Sequence, residues 1–413
     1  MDNYTSLVNT RKSKFHFSRL LILLQLCKGI IKTLAVVLLV FCTVCYYQTV
    51  LFDFAESKPF TGNSFYNPYT NWDPDNQVKA NFHAHSKAWL GLTNGANSDQ
   101  ELKSFYTKAG YKVAAISNYH KAEDIASKNL IDFPVYEHGY NILKSHRLAL
   151  GTRKLSHLDY PFWQNRSHKQ LLINNIKEND GLVALAHPNL RSGYNYKDMA
   201  LLEGYDFVEV LSNYANAISY WDEALKHGKA VWCMANDDSH SITSQRTGEF
   251  YNVLSTDLIT SSEIRKVLLE GNFVSVRKPE AELEIRLNQL KVNNDSLEYD
   301  FEGELDQLRI IADGKTIQSH SKSAGVIFLK EEYSYVRLEA TKGEQVVLTN
   351  PVIRSKSRAK PWQESTVKVN GTLTFFYRIY VLFFSVSILF LLFKKRVRKF
   401  LQFEVKLGAK KAM

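Results

Sequence analysis

Between residues 79 and 277 the sequence alternates short apolar runs with amphipathic segments, and this alternation most constrains the fold. The runs are rich in Val, Ile and Ala, as in GLVALAHP (181–188). The amphipathic segments carry helix signals, such as a Ser98–Glu101 capping box followed by Gly110 as a stop. Strands that alternate with helices are typical of βα units, and near-continuously apolar strands are buried on both faces. The alternation therefore predicts an α/β fold with a mainly parallel sheet.

A different pattern begins after residue 280. Residues 281–354 contain short alternating strands separated by turns with Gly or Asn, which predicts a small antiparallel β-sandwich-like domain. Residues 53–78 are rich in Asn, Pro, Tyr and Asp and predict an extended linker without periodicity. Residues 355–372 predict a polar tether. No internal repeat or low-complexity tract is present.

Two segments are apolar enough to leave water. Residues 33–52 are uncharged over a length that suffices for a helix to cross a bilayer. Residues 373–393 reach a spanning length when Arg378 extends its charged end to the interface. Because no small-residue cleavage site follows the first segment, it is predicted to be an uncleaved anchor. The sequence thus predicts two transmembrane helices.

The charge is concentrated in two basic tails. Residues 1–32 carry a net charge of +5 and residues 394–413 carry +7, whereas the whole chain carries +10. The positive-inside rule predicts a two-pass protein of the cell membrane, with both tails cytoplasmic and the region between the helices periplasmic or otherwise extracytoplasmic. Because that region lacks a basic excess, nucleic-acid binding is excluded for it. Cys233 is its single cysteine, so it has no internal disulfide.

Metal-ligating residue types recur where the apolar strands end. His83 and His85 close the first strand, and their spacing of two places both imidazoles on one face. In parallel βα folds, active sites assemble at the carboxyl ends of the strands. We therefore predict that one site collects these metal ligands: His83, His85, His120, Glu137, His146, His187, Asp238 and His240.

A set of imidazoles and carboxylates without thiols suits Zn, Mn or Fe. These candidates exceed the need of one ion, so at least two divalent metal ions are expected. His138 is ambiguous, because its neighbour Glu137 takes the inward position. Four further histidines are expected at the solvated surface, because they fall on loops or helix ends: His157, His168, His227 and His320.

The residues from about 79 to 277 resemble the PHP (polymerase and histidinol phosphatase) superfamily. FHAHS supplies the H-x-H motif of that family, an apolar strand ends in H-P, and Asp238 and His240 form the late D-x-H. Glu137 matches the glutamate after the third strand, and His146 matches the histidine before a small apolar run with glycine. The resemblance implies a distorted (β/α)7 barrel and a phosphoesterase site with two or three metal ions.

Two stretches depart from the pattern of the family. An aspartate usually follows H-x-H within a D-G turn, whereas this chain has Asn94 and Gly95, and a neutral Asn is a poorer ligand or base. The usual T-D-H after the second strand is replaced by SNYH. Either His120 fills that metal position, or Tyr119 occupies it and a metal position is lost. We expect His120, because a neutral tyrosine binds metals poorly.

The reaction that the resemblance implies is hydrolysis of a phosphate ester by a hydroxide that bridges two metals. His187 and Asp238 are expected to be essential for both metal content and turnover. A cation is expected to contact the phosphate, and the candidates are Arg191, Arg246 and Lys87. The substrate is expected to be a phosphorylated small molecule or an envelope component, and the sequence does not select among these.

Two other functions are compatible with the sequence. The first is a degenerate PHP-like metal-binding domain with a sensing or scaffolding role, which Asn94 and the irregular SNYH favour. The second is a metal hydrolase on a similar barrel, such as an amidohydrolase. The late D-x-H argues against it, since such enzymes usually carry a carboxylated lysine or a lone late aspartate.

Overall fold

The computed structural model describes residues 2–123, 129–279, 284–361 and 365–411. They form two compact units, of which one combines Met1–Leu51 with Asn370–Met413 and the other is Phe52–Val369. The described helices are α1 (Asp2–Tyr47), α2 (Asp99–Lys108), α3 (Arg166–Glu178), α4 (Tyr196–Leu201), α5 (Ile218–Lys226), α6 (Ser261–Glu270) and α7 (Gly371–Lys411).

The strands all belong to the unit Phe52–Val369. Those before residue 280 are β1 (Phe52–Asp53), β2 (Ser64–Tyr66), β3 (Gln77–Asn81), β4 (Val113–Ala114), β5 (Val135–His138), β6 (Arg147–Leu150), β7 (Leu182–Leu185), β8 (Phe207–Leu211), β9 (Trp232–Ala235), β10 (Phe250–Ser255) and β11 (Phe273–Arg277). Those after it are β12 (Arg286–Asn293), β13 (Ser296–Glu302), β14 (Gln307–Ala312), β15 (Lys315–His320), β16 (Ala324–Phe328), β17 (Tyr335–Lys342), β18 (Gln345–Thr349), β19 (Val352–Ser355) and β20 (Lys368–Val369).

The terminal unit consists of α1 and α7. Within them, Leu23–Tyr47 and Gly371–Lys394 are long and apolar enough to cross a membrane. The first span starts ten residues before the predicted segment 33–52 and ends five residues before the end of that segment, because helix α1 ends at Tyr47. The two helices contact each other through the hydroxyls of Thr43 and Ser385, which are 2.7 Å apart. Hydroxyl pairs of this kind join helices in an apolar medium.

The helices of the larger unit start at the side chains that the sequence indicates. Ser98 and Glu101 form the predicted capping box at the start of α2, which confirms this boundary. Thr260 caps α6 by accepting a hydrogen bond from the Glu263 amide. Each cap satisfies a backbone N–H that has no partner inside its helix. Strands and helices alternate along this unit, as the sequence predicts, and the structure is mixed α/β.

The prediction of a mainly parallel sheet was wrong. Apart from β1, the described strands before residue 280 lie in two separate sheets, one with the order β5-β6-β7-β8-β9 and one that contains β4-β3-β10-β11. Only the β3–β4, β7–β8 and β8–β9 pairs are parallel among them. Apolar runs report that a strand is buried but do not report its direction, which explains the error. A closed (β/α)7 barrel remains an expectation.

Buried asparagines connect the two sheets where no strand ladder does. Asn252 on β10 accepts a hydrogen bond from the Ala235 amide of β9 and donates one to its carbonyl. Asn350 likewise accepts from the Cys233 amide. These amides replace missing strand partners, since buried backbone groups need hydrogen bonds. The edge of β9 is thereby held against the neighbouring sheet.

The strands after residue 280 pair antiparallel, as their alternating pattern predicts. Those from β14 to β19 extend the sheet of β11 through the β11–β18 pair, except β16, which joins β12 and β13 in a three-stranded sheet. The predicted boundary between residues 280 and 281 lies outside the described residues. The segments predicted as linker and tether are also paired, because β2 bonds to β19 and β1 to β20.

His168 differs from the surface position that the sequence suggests. Its side chain is fully buried on α3, and its ring lies 4.1 Å from that of Tyr160. Nδ1 accepts a hydrogen bond from the Asn165 amide, so the histidine completes a capping box in the place of the usual Glu or Gln. Burial lowers the pKa of His168 to about 3. The folded protein therefore holds this ring neutral.

This buried histidine predicts a loss of stability in acid. Below pH 6.5 His168 is protonated in the unfolded chain, whereas in the folded protein it stays neutral down to about pH 3. The contribution of the neutral ring to the free energy of unfolding is therefore complete above pH 6.5 and is lost as the pH falls toward 3. At pH 5 the cost is about 2 kcal/mol. His168→Gln keeps an acceptor for the cap, and we expect it to reduce the drop in urea midpoint between pH 7 and pH 5.

The control for this prediction is His157→Gln, because His157 is exposed on a loop. An unchanged pH dependence in His168→Gln would contradict the assignment of the acid sensitivity to this ring.

Candidate metal centre

The metal-ligating residues meet where two loops bridge the sheets. Ala84 pairs with Ser239 and Tyr119 pairs with Glu137, each as an isolated parallel bridge. The first bridge places the segment that follows β3 beside the segment that follows β9, because the Asp238 amide donates to the His83 carbonyl at 2.9 Å. Residues far apart in sequence are thereby brought to one point.

Four ligand atoms converge at this point. His85 Nε2 lies 3.0 Å from Glu137 Oε2, 3.3 Å from Asp238 Oδ1 and 3.2 Å from His83 Nε2. His83 Nε2 lies 3.4 Å from Glu137 Oε2 and 3.3 Å from Asp238 Oδ1. These four side chains are buried. We call this set cluster A.

The spacing of cluster A matches a metal coordination shell. Ligand atoms about 2.0–2.1 Å from a tetrahedral zinc ion lie about 3.3–3.4 Å from one another. The two imidazole nitrogens of cluster A are 3.2 Å apart, and each lies 3.0–3.4 Å from both carboxylate oxygens. Glu137 Oε2 is buried and has no hydrogen-bond partner of good geometry among the described residues. A buried carboxylate oxygen that faces imidazole nitrogens without accepting a hydrogen bond is costly, so the chemistry of this donor set fits a divalent ion.

A second group of ligands shares the other oxygen of Glu137. His146 Nδ1 lies 2.5 Å and His187 Nε2 3.3 Å from Glu137 Oε1. We call this set cluster B. His146 Nε2 and His187 Nδ1 are buried without a hydrogen-bond partner in the part of the chain that the structure describes. Glu137 therefore contacts imidazoles through both of its oxygens.

Glu209 holds His83 in the orientation that a metal requires, and the sequence analysis did not identify it. This fully buried carboxylate on β8 accepts a hydrogen bond from His83 Nδ1 at 2.9 Å. Its second oxygen accepts from the His187 amide at 2.9 Å. A carboxylate on Nδ1 leaves Nε2 as the ligand nitrogen. The signal was present, since a Glu inside the apolar strand FVEVL is costly without a partner.

The imidazoles and carboxylates of the centre shift one another's pKa values toward the charged forms. Burial opposes protonation of His83, but Asp238, Glu209 and Glu137 raise its pKa well above the usual value. Burial similarly opposes ionisation of Glu137, but His146 and His83 hold its pKa well below the usual range. The Glu137 carboxylate is therefore ionised, which is the state that binds cations.

His240 lies beside cluster A rather than within it. Its ring stacks on that of His85 with centroids 4.5 Å apart, and Nδ1 donates to the Asp238 carbonyl at 3.0 Å. Its Nε2 is buried and has no hydrogen-bond partner among the described residues. The imidazole therefore presents a free lone pair close to the centre.

His120 is not brought to the metal centre, contrary to the sequence expectation. It has a left-handed backbone (φ 48°), and its Nδ1 donates to the Ser156 carbonyl while Nε2 accepts from the Gly139 amide. Tyr119 takes the inward position, and its ring lies 4.8 Å from that of His85. Burial, with the carboxylates of the centre, raises the pKa of Tyr119 far above its usual value, so its phenol is neutral.

His120, His138 and Asp159 form a separate group with ligand spacing. His138 donates from Nε2 to the Leu158 carbonyl and accepts at Nδ1 from Arg147. Because both nitrogens of each histidine are hydrogen-bonded, this group acts as a structural network.

The predicted phosphate-binding cations lie at the surface. Lys87 and Arg191 are exposed, and Arg246 is exposed and donates to the Asn213 carbonyl. Lys144 is a cation that the sequence analysis missed. Its Nζ lies 5.9 Å from the centroid of the Tyr119 ring.

The turn at Asn94 and Gly95 contributes no ligand to either cluster. Asn94 is exposed. Gly95 passes so close to the Ser86 carbonyl that an added Cβ would lie 2.1 Å from its oxygen. The glycine is therefore required by packing.

No family model and no curated protein matches the chain. Among solved structures, it is similar to a two-domain protein from Bacteroides vulgatus ATCC 8482 that contains a predicted PHP-like metal-dependent phosphoesterase. The identity is 12% and the TM-score 0.37, over 71% of this chain and 99% of that one. At this level the likeness carries no argument, and the proposals below depend on the side-chain geometry.

The contact between Glu209 and His83 predicts an indirect effect on metal affinity. Glu209→Gln preserves the shape of the side chain but removes the charge that orients His83, so we expect metal affinity to fall about 10- to 100-fold. Competition with a chelator of known affinity measures this change. Glu223→Gln is the matched control, since Glu223 lies on α5 outside both clusters. Equal affinities in both variants would assign Glu209 a purely structural role.

Proposed function

We propose that this protein is a metal-dependent phosphoesterase, anchored to a membrane by two helices. The observation that carries the proposal is the buried convergence of cluster A, in which the imidazole nitrogens of His83 and His85 lie 3.0–3.4 Å from carboxylate oxygens of two other chain segments. The motif order resembling the PHP superfamily supports the class of reaction. The distorted (β/α)7 barrel that this family implies, followed by the antiparallel domain, is part of the proposal.

The proposal assigns the two clusters to two divalent ions. Cluster A would hold the first ion and cluster B the second, and Glu137 belongs to both clusters. Imidazole and carboxylate donors favour Zn, Mn or Fe. Such ions supply Lewis-acid activation of water and neutralise charge on a phosphate ester.

The side chains around the clusters have separate roles in this proposal. His187 and Asp238 would hold the ions and orient the reacting groups. Tyr119 covers His85 as a neutral phenol and excludes water from that side. Lys144 is the cation that contacts the phosphate, because it lies beside Tyr119. Arg246 already pairs with Glu249 at 3.4 Å and is less suited to this role.

The proposed orientation follows from charge. Both basic tails lie in the cytoplasm, and the unit Phe52–Val369 faces the periplasm or another extracytoplasmic space. The helices Leu23–Tyr47 and Gly371–Lys394 supply the two spans. A phosphorylated small molecule or an envelope component is then the accessible substrate.

A non-catalytic metal-binding protein with a sensing or scaffolding role is the second candidate. The presence of Tyr119 where a histidine was expected favours it, because one ligand of the centre is lost. The two candidates differ in turnover but agree in metal content.

The proposed function predicts that metal content and turnover fall together. His187→Ala removes a ligand of cluster B and Asp238→Ala one of cluster A, so each is expected to lower the bound metal by one ion per chain. Loss of several kcal/mol of charge stabilisation corresponds to a fall of more than about 100-fold in hydrolysis of model phosphomonoesters and diesters. Elemental analysis and turnover are measured on the full-length protein with Mn and with Zn.

His157→Ala is the matched control, because it removes an exposed imidazole from a loop outside both clusters. Turnover that survives in both ligand variants would refute the phosphoesterase. Bound metal without hydrolysis of any ester in the wild-type protein would instead support the sensing or scaffolding role.

A further inference from the structure

Two loops beside the metal centre expose apolar side chains. Residues 87–95, the first apolar loop, begin two residues after His85. The loop ends before Ala96, whose amide donates to the His240 carbonyl at 2.8 Å. Both ends are thus attached to residues of the centre, so the loop forms part of its rim.

The side chains at the tip of this loop lie in water. Leu90 and Leu92 are 105% and 89% exposed. Trp89 and Leu90 have left-handed backbone conformations, with φ of 51° and 56°. A left-handed backbone is unfavourable for a large side chain. Leu90 and Leu92 also contribute no hydrophobic stabilisation, because their side chains remain in water. The exposure is therefore not explained by packing within the protein.

Trp89 connects the loop to the metal centre. It is half-exposed, and its indole Nε1 donates to the Tyr119 carbonyl at 2.8 Å. The ring of Tyr119 lies 4.8 Å from that of His85. The exposed apolar loop is therefore connected to His85 of cluster A through Trp89 and Tyr119.

The second apolar loop, residues 139–145, has the same character. It lies between Glu137 and His146, two ligands of cluster B, and exposes Ile142 and Leu143. Lys144 follows them directly. The two loops thus flank Tyr119, with Trp89 on its carbonyl and Lys144 near its ring.

We propose that the substrate of this centre is an amphiphilic phosphate ester, whose alkyl or acyl chain binds between the two apolar loops. This inference rests on the proposed function. The metal sites and Lys144 are complementary to a phosphate, and Leu90, Leu92 and Ile142 are complementary to an apolar chain next to it. A substrate with only polar groups leaves these side chains without a partner. The helices of α1 and α7 keep the protein at a lipid phase, where such esters concentrate.

The test uses a series of monomeric ligands on the full-length protein, loaded with Mn and held in nanodiscs of neutral lipid. Alkyl phosphates from ethyl to octyl measure hydrolysis, and the matching alkylphosphonates measure binding without turnover. Half-burial of each added methylene strengthens binding about twofold. Octylphosphonate is therefore expected to bind roughly 60-fold more tightly than ethylphosphonate.

The loop variant is the double substitution Leu90→Ser and Leu92→Ser. We expect it to keep its metal content and its turnover of ethyl phosphate, but to lose most of the dependence on chain length. The control is Val326→Ser with Phe328→Ser, because these side chains are also exposed, on β16. The control is expected to retain the wild-type dependence.

Phosphonate binding tests the role of the loops, and hydrolysis of the phosphate esters tests the proposed function. A wild-type affinity that is flat across the phosphonates, or a dependence that persists in the loop variant, overturns the inference about the loops. Absence of hydrolysis for every ester overturns the proposed function, whatever the phosphonates show. Partitioning of ligand into the nanodiscs is the same for all variants and cancels in their comparison.

Discussion

The interaction on which the centre depends is the contact of one buried carboxylate, Glu137, with imidazoles on both of its oxygens. Oε2 faces His83 and His85, and Oε1 faces His146 and His187. An ionised carboxylate in a dry interior costs several kcal/mol unless partners compensate it. The surrounding chain must therefore hold these rings in position, and the fold can be understood as the means of doing so.

The imidazoles around Glu137 are held in position by buried hydrogen bonds and backbone bridges rather than by flexible loops. Parallel bridges fix the segments after β3 and β9, and the carboxylate of Glu209 fixes His83 and the His187 backbone together. Asn252 hydrogen-bonds across the gap between the sheets, where strand pairing stops. Because these contacts are buried and saturated, the ligand atoms keep their spacing without depending on the surface.

The sequence predicted the parts of this arrangement that depend on local periodicity. The capping box of α2 depends only on the geometry of one element and has the expected form. The ring nitrogens of His83 and His85 converge as their spacing predicts, although both residues follow β3, which ends at Asn81. Strand direction depends on pairing between distant segments, which apolar runs do not encode. The position of His120 depended on one residue of register, and a left-handed turn moved Tyr119 inward instead. Glu209 was missed because a lone Glu in a strand identifies no partner.

The division between rigid ligands and exposed loops has a consequence for specificity. The side chains of clusters A and B are fixed by buried contacts, whereas Leu90 and Leu92 contribute nothing to that network. In the proposed enzyme, changes at the loop tips would therefore alter which ester binds without disturbing the two clusters, because distant and unconnected substitutions act independently. The short attachments at Trp89 and Ala96 limit how far the first loop can move from the centre. Under the proposed function, substrate choice and metal chemistry would thus be carried by different residues that lie close to each other.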